Sequence, residues 1–140
     1  TLDDFAGRWT LTRKIIQRNG DVFAFMGEAE FSWLEGSEHE ESRALAYFEN
    51  GEVTAPNGHV MPAERRYFWQ QLQTGLFEVL FDDKRYFHSF SATNPNAEHL
   101  CGDDNYVVRY DFSTWPVWRS TWKVIGPRKD YTMISKYSPA

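Results

Sequence analysis

Residues 118–137 read WRSTWKVIGPRKDYTMISKY, and this stretch decides the fold. A four-residue loop, Gly126 to Lys129, separates two runs in which apolar and polar side chains alternate, as is typical of β-strands with one buried face. If Ile125 pairs with Asp130, one face of this hairpin carries Trp118, Ser120, Trp122, Val124, Tyr131, Met133, Ser135 and Tyr137. Most of the charged side chains fall on the other face. The aromatic face is therefore predicted to point inward.

The same alternation continues over the rest of the chain. Turn-forming residues recur at short intervals, among them Glu35-Gly36-Ser37, Asn50-Gly51, Pro56-Asn57-Gly58, Thr74-Gly75 and Asp83-Lys84. Between them we predict strands over residues 7–17, 22–34, 40–48, 63–73, 76–81, 86–91, 98–101, 106–112, 117–125 and 131–137, after a helical turn at residues 2–6. Strands with one apolar face favour closure, which removes exposed sheet edges. The fold class is therefore predicted to be all-β, an antiparallel up-and-down barrel of about 8–10 strands.

Length and composition limit the possible classes of protein. The 140 residues indicate one domain over residues 1–140, and 17% are aromatic, which favours strands. A single cysteine, Cys101, excludes an internal disulfide, and a net charge of −5 argues against nucleic-acid binding. There is no apolar run of about 20 residues and no signal-peptide pattern. We expect a cytoplasmic protein that does not bind membranes and is a monomer or a homodimer.

The segment Phe5-Ala6-Gly7-Arg8-Trp9 resembles the Phe-x-Gly-x-Trp motif with which lipocalins and other calycins begin their barrel. In those families the Gly-x-Trp starts the first strand, and the Trp closes one end of the barrel under a basic residue near the last strand. The resemblance implies that Arg128 or Lys129 stacks on Trp9 by a cation–π contact. The secretion signal and disulfides usual in lipocalins are not present, so an extracellular carrier is not expected.

A wider resemblance covers nearly the whole chain. It rests on Phe5-x-Gly7-x-Trp9 with Arg13, Gly27-x-Ala29-x-Phe31, Arg65-x-Tyr67-x-Trp69, Phe87-His88, Cys101-x-x-Asp104-x-Tyr106 and the segment Gly126-Pro127-Arg128-Lys129-Asp130-Tyr131. These motifs resemble an uncharacterised domain-of-unknown-function family with a calycin-like barrel. The resemblance implies a fold and no activity.

Two arginines are predicted to point into the barrel. Arg65 shares a strand face with Tyr67 and Trp69, and Arg13 shares one with Trp9 and Leu11. A buried guanidinium needs an acidic partner or an anionic ligand. The pair could therefore form a clamp for a carboxylate or phosphate. Alternatively, each could pair with Glu41 or another internal acid, or lie in water at the mouth of the barrel.

His88 is predicted to point inward as well. A two- or four-residue loop at Asp83-Lys84 places Tyr86, His88 and Phe90 beside Phe81, Val79 and Phe77. No cofactor is expected, although His88 could be an axial ligand of haem as well as a hydrogen-bonded core residue, a general acid/base or a ligand anchor. His99 and Cys101 share a face but lie about 6–7 Å apart along a strand, too far for a direct hydrogen bond. The four histidines lack metal-ligand spacing, and no metal is predicted.

The preferred function is the binding of a small apolar or aromatic ligand with an acidic group inside the barrel. The ligand body would contact Trp69, Trp118, Trp122 and Tyr106, and its acid would meet Arg65 or Arg13 with the help of His88. The whole candidate set is Arg13, Arg65, Tyr67, Trp69, His88, Cys101, Tyr106, Trp118, Trp122 and Tyr131. An alternative is an enzyme of the decarboxylase or isomerase type that uses His88 or Tyr106 as acid or base. A further alternative is a structural or interaction module whose aromatic side chains fill the barrel.

Overall fold

A computed structural model describes residues 1–34, 43–73 and 75–140. A 3-10 turn at Leu2–Asp4 precedes ten strands: β1 Gly7–Gln17, β2 Val22–Trp33, β3 Arg43–Thr54, β4 Val60–Gln73, β5 Leu76–Phe81, β6 Tyr86–Ser91, β7 Asn96–Cys101, β8 Asp104–Asp111, β9 Trp118–Gly126 and β10 Lys129–Pro139. The predicted all-β class is confirmed. Within these residues the one helical segment is that three-residue turn, and no helix is long and apolar enough to cross a membrane.

The strands form one antiparallel sheet in which nearly every strand pairs with its neighbours in sequence. The order is β6-β5-β4-β3-β2-β1-β10-β9-β8-β7, so the first and last strands pair and the two edges are β6 and β7. These edge strands approach each other without forming a ladder, and the barrel is nearly closed. The predicted up-and-down barrel is therefore confirmed.

The β9–β10 hairpin has the predicted register. Ile125 pairs with Asp130, and Trp118, Trp122, Met133 and Tyr137 are buried. Strand β2 follows the same rule, because its inward side chains are buried or half-buried while Glu28 is exposed. Alternation along each strand thus separates a packed interior from a polar exterior.

One end of the barrel is filled by aromatic side chains. The ring of Phe5 lies 5.2 Å from that of Trp69 and 5.4 Å from that of Trp118, and Trp118 stacks on Tyr137 at 3.8 Å. The indole N–H of Trp9 donates a hydrogen bond of 2.9 Å to the carbonyl of Phe5. The N-terminal 3-10 turn therefore closes this end, which we call the closed end, with a dense aromatic cluster.

Among the described residues, neither Arg128 nor Lys129 lies over the ring of Trp9, so the contact implied by the resemblance is wrong. Trp9 pairs with Pro139 at one end of β10, whereas Lys129 pairs with Gly126 at the other end of that extended strand. Lys129 instead lies over the ring of Tyr106, with its ammonium 3.1 Å from a carboxylate oxygen of Asp104. The partners of the Trp9 ring are Trp115 and Trp118.

The predicted turn at Asn50-Gly51 is also wrong. Strand β3 runs through it to Thr54, and the hairpin turns at residues 55–59, where the amide of Ala55 donates to the carbonyl of His59. Gly51 pairs with Gly27 of β2, and a Cβ atom on either glycine would fall on the backbone of the facing strand. Glycine here permits close approach of two backbones. The predicted turn at Pro56-Asn57-Gly58 lies within this hairpin turn and is confirmed, as is the turn at Asp83-Lys84 between β5 and β6. Two other predicted turns, Glu35-Gly36-Ser37 and Thr74-Gly75, lie wholly or partly outside the described residues, as does Glu41.

Strand β6 contains a bulge that reverses the predicted orientation of one side chain, that of Tyr86. Val79 pairs with His88, but the next residue of β5, Leu80, pairs with Tyr86, which leaves Phe87 as the extra residue. Phe87 and His88 are consequently both buried, and Tyr86 is exposed. The inward positions of His88 and Phe90 are confirmed, and that of Tyr86 is wrong.

Candidate functional site

Six of the predicted site residues surround one small void in the middle of the barrel: Arg13, Arg65, Tyr67, Trp69, His88 and Trp122. The rest of the lining is Tyr47, Glu49, Val79, Tyr110, Ser120 and Tyr137. The space open to the centre of a water molecule is about 20 Å³, which is room for about one water. The described part of the barrel is thus mostly filled at this level, and a ligand of ordinary size does not fit inside it.

Arg13 is paired with an internal acid. Strand β1 points its guanidinium inward, where Nη1 and Nη2 donate to the two carboxylate oxygens of Glu49, the Nη2 bond being 2.8 Å long. Its Nε donates to the hydroxyl of Ser135 at 2.7 Å. Burial opposes the charges of both partners, but the bidentate pair outweighs it, so the pKa of Arg13 is raised and that of Glu49 is lowered. Of the alternatives for Arg13, pairing with an internal acid is therefore correct.

Two tyrosine hydroxyls extend the hydrogen-bond network from Glu49, and that of Tyr47 is the one bonded to the carboxylate. The hydroxyl of Tyr47 donates to the Glu49 carboxylate at 2.5 Å and lies 2.8 Å from the hydroxyl of Tyr137. Burial raises the pKa of Tyr47 well above its ordinary value and that of Tyr137 to about 12. Both hydroxyls are therefore neutral donors at physiological pH, and Glu49 has little accepting capacity left.

Arg65 is a second inward cation without an acid of its own. It is the direct cross-strand neighbour of Glu49, yet it makes no ion pair with any residue in the described ranges. Its guanidinium lies over the ring of Trp122, 5.7 Å from the centroid. Burial lowers its pKa, but Tyr67 and the charge of Glu49 outweigh that effect, so the pKa of Arg65 is raised. Arg65 therefore stays charged, and the buried cluster carries one positive charge more than negative.

His88 is fully buried and neutral. Its Nε2 lies 2.8 Å from the hydroxyl of Tyr110, and its Nδ1 has no hydrogen-bond partner among the residues that the structure describes. Burial, with a smaller contribution from His99, lowers the pKa of His88 to about 3. Burial also raises the pKa of Tyr110 well above its ordinary value. At neutral pH the pair is an uncharged hydrogen bond at the wall of the void.

Four predicted site residues do not line the void. Trp118 belongs to the filled closed end, and Cys101 lies on the edge strand β7. Tyr106 and Tyr131 are half-buried near the opposite end, where Tyr106 contacts Phe87 and Lys129. Alternation places these side chains on the inward face correctly, but it does not specify their height along the barrel axis.

Glu49 is the main residue that sequence reasoning missed. The expected turn at Asn50-Gly51 ended the predicted strand at residue 48, so Glu49 fell outside it. The signal was available, because Leu45, Tyr47 and Glu49 follow the inward period of two. Tyr47, Tyr137, Tyr110 and Ser120 also line the void but were not in the candidate set.

An open hollow adjoins the void at the end of the barrel away from the closed end. It has a volume of about 460 Å³ and is lined by Arg65, Arg66, Tyr67, Phe81, Asp82, Asp83 and Arg85. Arg65 and Tyr67 line both spaces, so they form the boundary between the hollow and the buried cluster. We call this hollow the mouth.

The charges at the void favour binding over proton transfer. Glu49 is held ionised, His88 is held neutral, and burial raises the pKa values of the tyrosines. A general acid or base works best with a pKa near the operating pH, and these groups have pKa values shifted away from neutral pH.

In the described ranges, no cluster of histidine, cysteine or acidic side chains could hold a metal ion.

These features define a nearly closed antiparallel barrel of the calycin-like type, with one charged cluster buried below its mouth. The chain belongs to a family of unknown function, DUF6314, which matches residues 5–139. Among solved structures, the S-type phycobiliprotein lyase CPES from Guillardia theta is similar, with a TM-score of 0.70 and 7% sequence identity over 99% of this chain and 89% of that one. At that identity the likeness shows the fold alone. No curated protein matches the chain significantly.

Proposed function

We propose that the barrel binds a small ligand with an aromatic or apolar body and an acidic group, and that the acid meets Arg65 at the mouth. The observation that carries the proposal is the position of Arg65. It is half-buried, charged, without an ion pair in the described ranges, and it lines both the void and the open hollow.

The preference for an anion follows from the charge balance. The fork of Arg13 and the hydroxyl of Tyr47 occupy the oxygens of Glu49, although Arg65 is its cross-strand neighbour. A cation that is partly removed from water and has no acid to pair with is costly, and a carboxylate or similar group on the ligand would lower that cost by a bidentate bond. The ligand acid would therefore replace the partner that the fold does not supply.

The preference for an aromatic or apolar body follows from the surfaces beside Arg65. The ring of Trp122 lies under the guanidinium, and that of Tyr67 lies 6.1 Å from Trp122 and 6.4 Å from Phe81. Aromatic faces of this kind stack on planar ligands. Because the interior is nearly filled, the body would lie in the mouth on Tyr67 and Phe81 rather than on Trp69 and Trp118.

His88 would act as a second polar anchor. Its unpartnered Nδ1 and the hydroxyl of Tyr110 are polar groups at the wall of the void, where the deepest atom of a bound ligand or a bridging water could reach them. Ligation of haem by His88 stays a prediction, which a Soret absorption band in the purified protein would support.

The test compares two dyes that differ by one acidic group. The anionic dye 8-anilinonaphthalene-1-sulfonate and the neutral N-phenyl-1-naphthylamine share one aromatic frame, and both fluoresce on binding to apolar sites. Replacing Arg65 by Met removes the charge and keeps much of the stem. We expect R65M to weaken binding of the anionic dye by about tenfold or more, and binding of the neutral dye by less than about twofold.

Arg109 provides the matched control. It is an exposed residue of β8 and does not line the mouth. R109M has the same net charge as R65M, and we expect it to bind both dyes as the unmodified protein does. Equal loss of both dyes in R65M, or equal effects of R65M and R109M on the anionic dye, would contradict a site at Arg65.

A further inference from the structure

The outward face of β1, β9 and β10 carries an excess of positive charge. Its basic side chains are Arg8, Lys14, Arg119, Lys123 and Lys136, and its one acidic side chain is Asp130. Arg8 pairs with Glu30, but the other four cations make no ion pair in the part of the chain that the structure describes. The whole chain has a net charge of −5, so this face, which we call the basic face, is opposite in sign to the rest of the molecule.

Apolar side chains lie among these cations in two adjacent rows across the sheet. In one row Met26, Thr12, Lys136 and Arg119 follow each other from β2 to β9. In the next row Lys14 lies beside Ile134. Met26 is 70% exposed and Ile134 is 39% exposed, and both lie beside the same cations, so they form a patch rather than isolated exposed side chains.

The two rows border a shallow hollow of about 640 Å³. Its lining includes Lys14, Met26, Arg119, Ile134 and Lys136, together with Glu52 at one side. Positive charges outnumber the single acid of this lining, and an exposed apolar patch with a mainly positive rim is typical of a surface that binds a partner. The hollow lies on the outer surface of the barrel, so its role as a docking surface is independent of the site at Arg65.

We propose that the basic face binds an acidic segment of another protein that carries an apolar side chain. The carboxylates would meet Lys14, Lys136 and Arg119, and the apolar side chain would lie on Met26 and Ile134. Charge complementarity selects an acidic partner, because Lys14 and Lys136 make no ion pair in the described ranges and, of the three cations, Arg119 is the one that faces an acid across the ladder, Asp111 of β8. The concave shape fits a chain segment better than the flat surface of a bilayer, and the net charge of −5 disfavours a nucleic acid.

The experiment measures fluorescence anisotropy of a fluorescein-labelled peptide made of repeated Glu-Glu-Leu units. We expect saturable binding at low salt, weakening as salt rises, and no binding of the version with glutamine in place of glutamate. The charge-reversal variant K14E/K136E should lose about tenfold or more in affinity. M26N should lose about threefold, because it removes apolar contact and leaves the charges unchanged.

The variant R66E/R128E is the matched control, since it reverses two cations outside the basic face and gives the same net charge as K14E/K136E. We expect its peptide affinity to stay within about twofold of the unmodified protein. Absence of saturable binding, or equal loss in both double variants, overturns the proposal. Anionic lipid vesicles that bind in place of the peptide, or self-association abolished by K14E/K136E, would assign this face to a membrane or to a second copy and overturn it too.

Discussion

The buried cluster is a candidate binding site because of its excess positive charge rather than because of a large cavity. One carboxylate, Glu49, lies between Arg13 and Arg65, and the fork of Arg13 together with Tyr47 occupies it. Arg65 stays charged and lines the mouth. Sequence alternation predicted both arginines to point inward, but it could not predict which one the acid would pair with. That choice depends on side-chain geometry across three strands.

His88 predicts a pH dependence of stability. Its pKa is about 3 in the folded protein, against 6.5 for an exposed histidine, so the unfolded chain takes up the proton first. Its contribution to stability is therefore complete above about pH 6.5 and is lost as the pH falls toward about 3. Urea unfolding should show a loss of about 1.4 kcal/mol per pH unit between pH 6.5 and pH 4.5 from this residue.

The variant H88Q isolates the contribution of His88, because glutamine does not titrate and can reach the hydroxyl of Tyr110. We expect its stability to change less between pH 6.5 and pH 4.5, by about the amount assigned to His88. Glu49 acts in a lower range, since its lowered pKa makes stability fall only below about 4.5. H59Q, at an exposed turn, is the control. An unchanged slope in H88Q would show that His88 is not held neutral by burial.

At the level of elements, β3 shows where local signals mislead. Asn-Gly is a strong turn signal in sequence, but at Asn50-Gly51 the glycine serves a contact between strands instead. The contact with Gly27 joins residues far apart in the chain, and a single sequence does not show it. By contrast, the bounds of β5 and β6 were predicted correctly, because their alternation and the intervening turn are local.

The Gly27–Gly51 contact predicts a specific loss of stability. A Cβ atom on Gly27 would fall on the backbone of Asn50 and Gly51, and neither strand can move without disturbing its other ladder. We expect Gly27→Ala to destabilise the protein by about 2 kcal/mol in urea unfolding. Glu28→Ala, the next and outward residue, should change stability by less than about 0.5 kcal/mol. Similar values for the two variants would mean that the backbones are not in close contact.

At the level of the whole molecule, the sequence predicted the barrel but not how far it is filled. Alternation determines which side chains point inward, as in β9 and β10, and closure follows from the number of strands. The space left inside depends on how rings from distant strands interlock. Trp118 stacks on Tyr137 and meets Phe5 from the N-terminal turn, and such contacts are not encoded in any one segment. The small void and the open mouth therefore emerge only in three dimensions.

The seam between β6 and β7 gives the last prediction. These strands are the two edges of the sheet, and across the seam the ring of His99 lies 5.7 Å from Phe87 and 6.0 Å from Tyr86. Side chains therefore fill the seam, and the backbone amides that face it have no ladder partner. In hydrogen–deuterium exchange, we expect amides of β6 and β7 to exchange at least about tenfold faster than those of β1 and β10 in the middle of the sheet. Equal protection would mean that a ladder closes the barrel in solution.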